Sequence, residues 1–187
     1  MMDRKGDSMT PPDSLQTARL VLRKPQPDDA PRIFKAYGQD ADVTRYLMWR
    51  PHESVEDARA AVQRFLSGWS SGTRFCWIIL SRDTNEVVGS IAARHDENGV
   101  NLGYLLAREF WGRGLMAEAV SAVTQWAFGD PTVFRVWAVC DVENQASARL
   151  LEKTGFVQEG ILKKFSLHPN VSAIPRDCYC YAQTRQG

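Results

Sequence analysis

The sequence predicts a mixed α/β (α+β) domain with a central sheet of about seven strands flanked by about four helices. Three observations carry this. Apolar residues recur at helical spacing up to Trp69, then alternate in strand fashion from Phe75 onward. The glycine-rich segment Glu109–Met116 opens into a second amphipathic stretch. Val133–Val139 is apolar almost without a break, as in a strand buried on both faces.

In chain order, residues 1–14 are polar, contain Pro11-Pro12 and lack periodicity, so they are expected to form a flexible tail before a domain over 15–187. Arg19–Arg23 is a short strand. Ala30, Ile33, Phe34 and Tyr37 share one helical face behind Asp28 and Asp29, whose charges suit a helix start. The stretch Asp42–His52 is irregular and rich in aromatic and basic residues. Ser54 with Asp57 has capping-box spacing, and Val55, Ala58, Val62, Phe65 and Trp69 form the stripe of the next helix. Phe75–Leu80 and Val87–Arg94 read as strands joined at Asp83-Thr84-Asn85, and Asn98-Gly99 marks a hairpin into a strand over Val100–Ala107. Met116, Ala119, Val120, Val123 and Ala127 make a helix that stops near Gly129-Asp130-Pro131. After the strand Val133–Val139, Asn144 caps a helix with Lys153 in its last turn and Gly155 as its stop. Strands over Phe156–Phe165 and Asp177–Thr184 close the chain. The strand-helix-strand crossover from Val100 to Val139 makes its two strands parallel neighbours.

Composition excludes several classes. The chain has 187 residues, 44% of them apolar, and a formal net charge of +1. That balance gives no broad attraction for nucleic acid or anionic membranes, so any anion site must be local. No segment has the length of a membrane span and the N-terminus has no apolar signal region. Cys76, Cys140, Cys178 and Cys180 show neither C-x-x-C nor zinc-ligand spacing, which suits reduced thiols. A cytoplasmic protein that binds no metal is expected.

The segment Glu109-Phe-Trp-Gly-Arg-Gly-Leu-Met116 carries the chemistry. Gly112 and Gly114 permit a tight turn and close approach of a ligand to the backbone, and the following helix start offers unpaired N–H groups with partial positive charge. Together they suit a phosphate or pyrophosphate. A bare strand-to-helix connection would need neither Trp111 nor Arg113. Gly112-x-Gly114-x-x-Ala117 also fits a permissive dinucleotide fingerprint, with Asp141 where a ribose-binding acid would stand. Its context opposes that reading: Arg108–Trp111 separate the glycines from their strand, and the preceding strands form an antiparallel meander. A Walker-type loop fails because no Gly-Lys-Ser/Thr follows.

Downstream, Asn144-Gln-Ala-Ser-Ala-Arg-Leu-Leu-Glu-Lys-Thr-Gly-Phe156 has the form N-x-x-S-x-x-L-x-E-K-x-G-F. With E-F-W-G-R-G-L-M-A-E-A upstream, it closely resembles the GNAT superfamily of acetyl-CoA-dependent N-acetyltransferases. The likeness is strongest to the branch that includes the ribosomal-protein N-terminal acetyltransferases. Thr17–Arg23, Trp49–His52 and Arg176–Ala182 also look like that branch, and the likeness covers about Leu15 to Arg185.

The resemblance implies an acetyl group moved from acetyl-CoA to a primary amine by direct attack. It implies that the pyrophosphate lies at Gly112, Arg113, Gly114, Leu115, Met116 and Ala117, and that the pantetheine arm pairs with Tyr104, Leu105 and Leu106. Asn144 would cap its helix and bond the arm, and a backbone N–H near Leu105 would hold the oxyanion. Tyr46, Trp49 and Arg50 would shape the amine pocket, with Trp49 equally suited to the core. Two positions depart from the family pattern. Asn101 stands where a carboxylate base is common, leaving Asp96, Glu97, Glu109, His95 or a water chain. No tyrosine follows Asn144 in its helix, leaving Ser147 to assist the departing thiolate, which also places it beside the cofactor. The acceptor is expected to be a protein N-terminal amine, with a polyamine, aminoglycoside or amino acid as the alternative, and a non-catalytic acyl-CoA-binding module as a third possibility. The expected state is monomer or homodimer.

Overall fold

The protein's structure, a computed structural model, describes residues 10–185. Eight strands form one sheet: β1 (Ser14–Gln16), β2 (Leu20–Arg23), β3 (Phe75–Ser81), β4 (Val87–Asp96), β5 (Gly99–Leu106), β6 (Arg135–Asp141), β7 (Val157–Ser166) and β8 (Arg176–Thr184), in the order β1-β2-β3-β4-β5-β6-β8-β7. Five helices accompany them: α1 (Asp29–Ile33), α2 (Ala41–Thr44), α3 (Val55–Ser71), α4 (Leu115–Gly129) and α5 (Gln145–Lys153). The extra strand is β1 and the extra helix is α2, a single turn inside the stretch read as irregular. Asp40 makes α2 possible, because its carboxylate accepts from the N–H groups of Asp42 and Val43. The other four helices lie where the apolar stripes predict, the first of them giving way after Ile33 to a π-helical turn over Phe34–Gly38.

Local signals explain most boundaries. Ser54 and Asp57 form a reciprocal capping box on α3, which ends at Gly72 with a φ of 68°. Asp96 pairs with Gly99 across a two-residue hairpin turn. The expected loose tail ends before Pro11: Pro11 is buried, the Trp77 indole N–H donates to Pro12 C=O at 3.1 Å, and Lys24 N–H donates to Asp13 C=O at 2.7 Å. The first nine residues of that tail lie outside the described residues.

Every strand pair is antiparallel except β5 with β6. That parallel pairing is short: Val100, Asn101 and Leu102 match Val136, Trp137 and Ala138, and then the strands part. Beyond this point β5 keeps only β4, and β6 keeps only β8. A wedge-shaped cleft therefore opens in the middle of the sheet, with an unpaired backbone edge on each wall.

Helix packing gives the cleft two sides. α4 packs across β4, β5 and β6, and α5 lies beside it, whereas α1 and α3 cover β3 and β4 from the other face. Strand alternation sends Tyr104 toward α5, and Asn101, Gly103 and Leu105 to the opposite face. On β6, Val136, Ala138 and Cys140 are buried, but Trp137 and Val139 are only half-buried. The expectation of burial on both faces thus fails on one side, where loops rather than a helix cover the strand.

Candidate active site

The backbone of β5 sets the cleft's chemistry. Residues of an antiparallel ladder bond across the pair alternately. Ala107 N–H donates to Val88 C=O at 2.8 Å, and counting back by two places Leu105 in the next bonded pair, with Ser90. The N–H groups of Tyr104 and Leu106 consequently face the cleft, while that of Leu105 faces β4. Leu106 C=O is occupied, since the Trp111 indole N–H donates to it at 2.8 Å. Trp111 thereby ties the glycine turn to the end of β5, which explains an exposed tryptophan there.

At the mouth of the cleft Gly112 and Gly114 have φ of 74° and 72°, the left-handed region that side chains disfavour. Gly114 is the N-cap of α4, and a Cβ on Gly112 would meet no atom within 4 Å, so the turn is open to a ligand. Leu115, Met116 and Ala117 form the first turn of the helix, where N–H groups have no intrahelical acceptor. The Leu115 and Met116 side chains are buried beneath and hold the turn to the core. Arg113 is exposed and its guanidinium lies 5.5 Å from the Phe110 ring.

A second arginine, unforeseen from the sequence, braces the same turn. Arg19 donates to Arg113 C=O at 2.9 Å and forms an ion pair with Glu118 at 2.7 Å. Glu118 also accepts from the Arg19 backbone N–H and the Thr17 hydroxyl. Burial alone would raise the Glu118 pKa, but these donors hold it below the ordinary carboxylate value.

α5 supplies the opposite end. The Asn144 side chain caps it by accepting from Ser147 N–H at 3.2 Å. Ser147 Oγ lies 2.8 Å from Tyr104 Oη, joining the helix to β5. Burial pushes the Tyr104 pKa up, so the phenol keeps its proton at neutral pH. Cys140 lies near the same serine, and burial raises its thiol to about 11.

Two loops cover the other face. Asn170, between β7 and β8, donates to the carbonyls of Thr44 and Trp49, both at 2.8 Å, and so fastens that loop to the stretch Asp42–His52. Trp49 stacks on His52 with ring centroids 4.8 Å apart. Arg50 is exposed and lines a cavity of about 310 Å³ with Trp49, His52, Asp57 and Arg64. Tyr46 is half-buried beneath Arg45. Behind the loops, His168 Nδ1 lies 2.8 Å from Asp141 Oδ2, and Arg176 clasps Asp141 with two hydrogen bonds. Burial would raise the Asp141 pKa, but Arg176, the Glu143 N–H and His168 hold it below the ordinary carboxylate value.

The base candidates named from the sequence are scattered. His95, Asp96 and Glu97 sit at the β4–β5 hairpin; His95 is level with Val100 and Asp96 with Gly99, four and five residues along the strand from Tyr104, about 13–17 Å at strand rise. Glu109 is exposed on the turn before α4. Asn101 donates to Trp137 C=O at 3.5 Å, at the base of the cleft.

The sequence pattern of the family described as an acetyltransferase (GNAT) domain matches residues 19–157. The chain is a GNAT acetyltransferase. It is 33% identical to the uncharacterized N-acetyltransferase YoaA of Bacillus subtilis (strain 168), over 92% of this chain and 98% of that protein. It is 28% identical to the [ribosomal protein uS5]-alanine N-acetyltransferase of Escherichia coli (strain K12), over 86% of each. The crystal structure of a GNAT-family acetyltransferase from Bacillus anthracis superposes with a TM-score of 0.79 at 26% identity, covering 91% of this chain and 98% of that one.

As a GNAT enzyme the protein uses acetyl-CoA as its acetyl donor. The parted strands and the glycine turn fit that ligand: an unpaired strand edge for an amide-bearing arm, then a helix start for its phosphates. The fold disposes of the dinucleotide reading, because a meander precedes the glycines and the Asp141 carboxylate is already taken by Arg176. Among the described residues no cluster of three metal-ligating side chains exists and no helix is long and apolar enough to cross a membrane. Arg19 and His168 escaped the sequence reading because each acts on a partner about 100 and 27 residues away respectively. Tyr104 was visible only as a strand residue, its hydroxyl partner lying on a helix 43 positions later.

Proposed function

We propose that this GNAT enzyme acetylates the α-amino group of a protein N-terminus. The observation that carries it is the charge of the acceptor side. Asp42, the sole carboxylate of the stretch Asp42–His52, forms an ion pair with Arg108 at 2.7 Å, and Asp141 is held by Arg176. A polyamine or aminoglycoside needs unpaired negative charge to bind; a peptide terminus carries a single amine and needs little. An α-amine, with a reference pKa near about 8, also reaches its neutral attacking form more readily than a lysine. The name of the uS5-alanine relative supports the same reading.

In the reaction the neutral amine attacks the thioester carbonyl, forming the C–N bond. The cleft-facing N–H groups of Tyr104 and Leu106 receive the oxyanion and pair with the pantetheine arm. The N–H groups from Gly112 to Ala117, with Arg113, receive the pyrophosphate. Asn144 bonds the arm while capping α5. The C–S bond then breaks, and Ser147 donates a hydrogen bond to the thiolate. Tyr46, Trp49 and Arg50 border the acceptor. The four free cysteines suit a reducing cytoplasm.

Thiol release from acetyl-CoA, measured over N-terminal peptides, polyamines, aminoglycosides and free amino acids, tests this. A peptide beginning with a small residue should show the highest kcat/KM. A polyamine or aminoglycoside outrunning every peptide would overturn the acceptor assignment.

A further inference from the structure

β5 and β6 last pair at Leu102 and Ala138. Three residues further along each strand stand Leu105 and Asp141, at the same level on opposite walls of the cleft. Asn101 and Trp137 are directly paired, and four residues beyond each restores the same side-chain direction. Asp141 therefore projects to the face that Leu105 shares, opposite α5, and His168 is held there by its carboxylate. This is also the face on which the loop bearing His168 is fastened to Thr44 and Trp49.

The imidazole is oriented rather than merely buried. A carboxylate only accepts, so Nδ1–H donates to Asp141, and whenever the ring is neutral its lone pair is on Nε2. His168 is 5% exposed, and Nε2 has no hydrogen-bond partner among the described residues. Among the described residues the fully enclosed side-chain atoms without a hydrogen-bond partner are Tyr37 Oη, His52 Nδ1, Thr124 Oγ1 and Trp137 Nε1. The Trp137 indole N–H is a buried donor without a partner on that same face, four residues or about 13 Å below Asp141. Unpaired groups of this kind are rare in a finished interior. The charged and titratable groups around His168 are Asp141 on β6, Arg176 and Cys178 on β8, and Glu143 in the turn after β6.

We infer that His168, positioned by Asp141, is the general base that takes the proton of the attacking amine. The inference rests on the acetyl-transfer reading above. As the C–N bond forms, a proton passes from the amine nitrogen to Nε2. The C–S bond breaks with its electron pair going to sulfur, and the imidazolium afterwards gives its proton to solvent. This supplies the group that Asn101 cannot.

The test compares the unaltered protein with His168→Gln, using acetyl-CoA and whichever of an N-terminal alanyl peptide, spermidine and an aminoglycoside is turned over fastest. The variant should lose about 100-fold or more in kcat/KM, the usual scale of general-base catalysis. It should lose the acid-side limb of the pH profile, keep its acetyl-CoA Kd and Tm, and regain turnover with added imidazole. Retention of kcat/KM together with the acid-side limb overturns the inference. So does a parallel loss of acetyl-CoA binding and Tm without imidazole rescue, which is the signature of a loop brace. His168→Asn replaces a glutamine variant that fails to fold; if neither folds, the pair is structural and the inference falls. Failure of the unaltered protein to bind acetyl-CoA would refute the cofactor assignment, and binding without turnover of any of the three amines would overturn the base and the acceptor reading together.

Discussion

Tyr104 on β5 and Ser147 on α5 meet hydroxyl to hydroxyl at 2.8 Å beside the cleft. Tyr104 thus gives the site a phenol from a strand, although α5 itself carries no tyrosine. Ser147→Ala should lower kcat by roughly 10- to 100-fold, the worth of a hydrogen bond to a charged group, with acetyl-CoA affinity nearly unchanged. Tyr104→Phe should fall in the same direction, and the double variant should lose less than the sum of the singles. Steady-state kinetics with calorimetric Kd values checks this; an unchanged kcat for Ser147→Ala removes its role.

Gly114 holds a φ of 72° at the N-cap of α4. A β-branched residue is strained there by about 1–2 kcal/mol or more, and relief of the strain turns the helix's first N–H groups away from the anion. Gly114→Val should weaken acetyl-CoA binding by roughly tenfold or more while the acceptor KM stays close to its original value. Unaltered cofactor affinity in a folded variant would contradict the pyrophosphate site.

Asn144 caps α5, and on the reading proposed above it also bonds the pantetheine arm. Asn144→Ala removes the cap and should cost about 1 kcal/mol of stability as well as acetyl-CoA affinity. Asn144→Asp keeps a capping oxygen but lacks the amide donor, so Tm should be preserved while acetyl-CoA binding weakens. Chemical denaturation paired with calorimetry separates the two; equal affinity in Asn144→Asp would leave the residue a cap alone.

Glu118 couples the glycine turn to stability through pH. Its pKa is depressed in the folded protein, so its contribution is fully present above the unfolded carboxylate pKa and is lost as pH falls through the lower folded value. Glu118→Gln should therefore reduce stability at neutral pH and flatten the loss of stability on acidification. Denaturation midpoints followed from neutral to acidic pH would show it, and parallel curves for the two proteins would refute it.

Most of the fold was legible because its signals are local. The Ser54–Asp57 box and the Asn144 cap each act within a few residues and form as the sequence predicts, and the hairpin signalled by Asn98-Gly99 forms one residue earlier, with Glu97-Asn98 as its turn and Gly99 already in β5. β1 was missed because three residues give no period, and α2 because one turn stands on a single cap at Asp40. Which N–H groups around Leu105 face the cleft was not legible, because ladder phase depends on which residue of β4 lies opposite, a fact of pairing rather than of composition.

By itself the sequence determined the architecture and the donor: alternating periods build the sheet, and two glycines before a helix start make a phosphate site. Only the tertiary structure decided which distant side chains meet. The cleft exists because β5 and β6 part after Leu102 and Ala138, and the pairs Tyr104–Ser147, Arg19–Glu118 and Asp141–His168 join segments far apart in the chain. Hydrogen bonds between side chains depend on distance in space, and separation along the chain leaves no pattern from which that distance can be read.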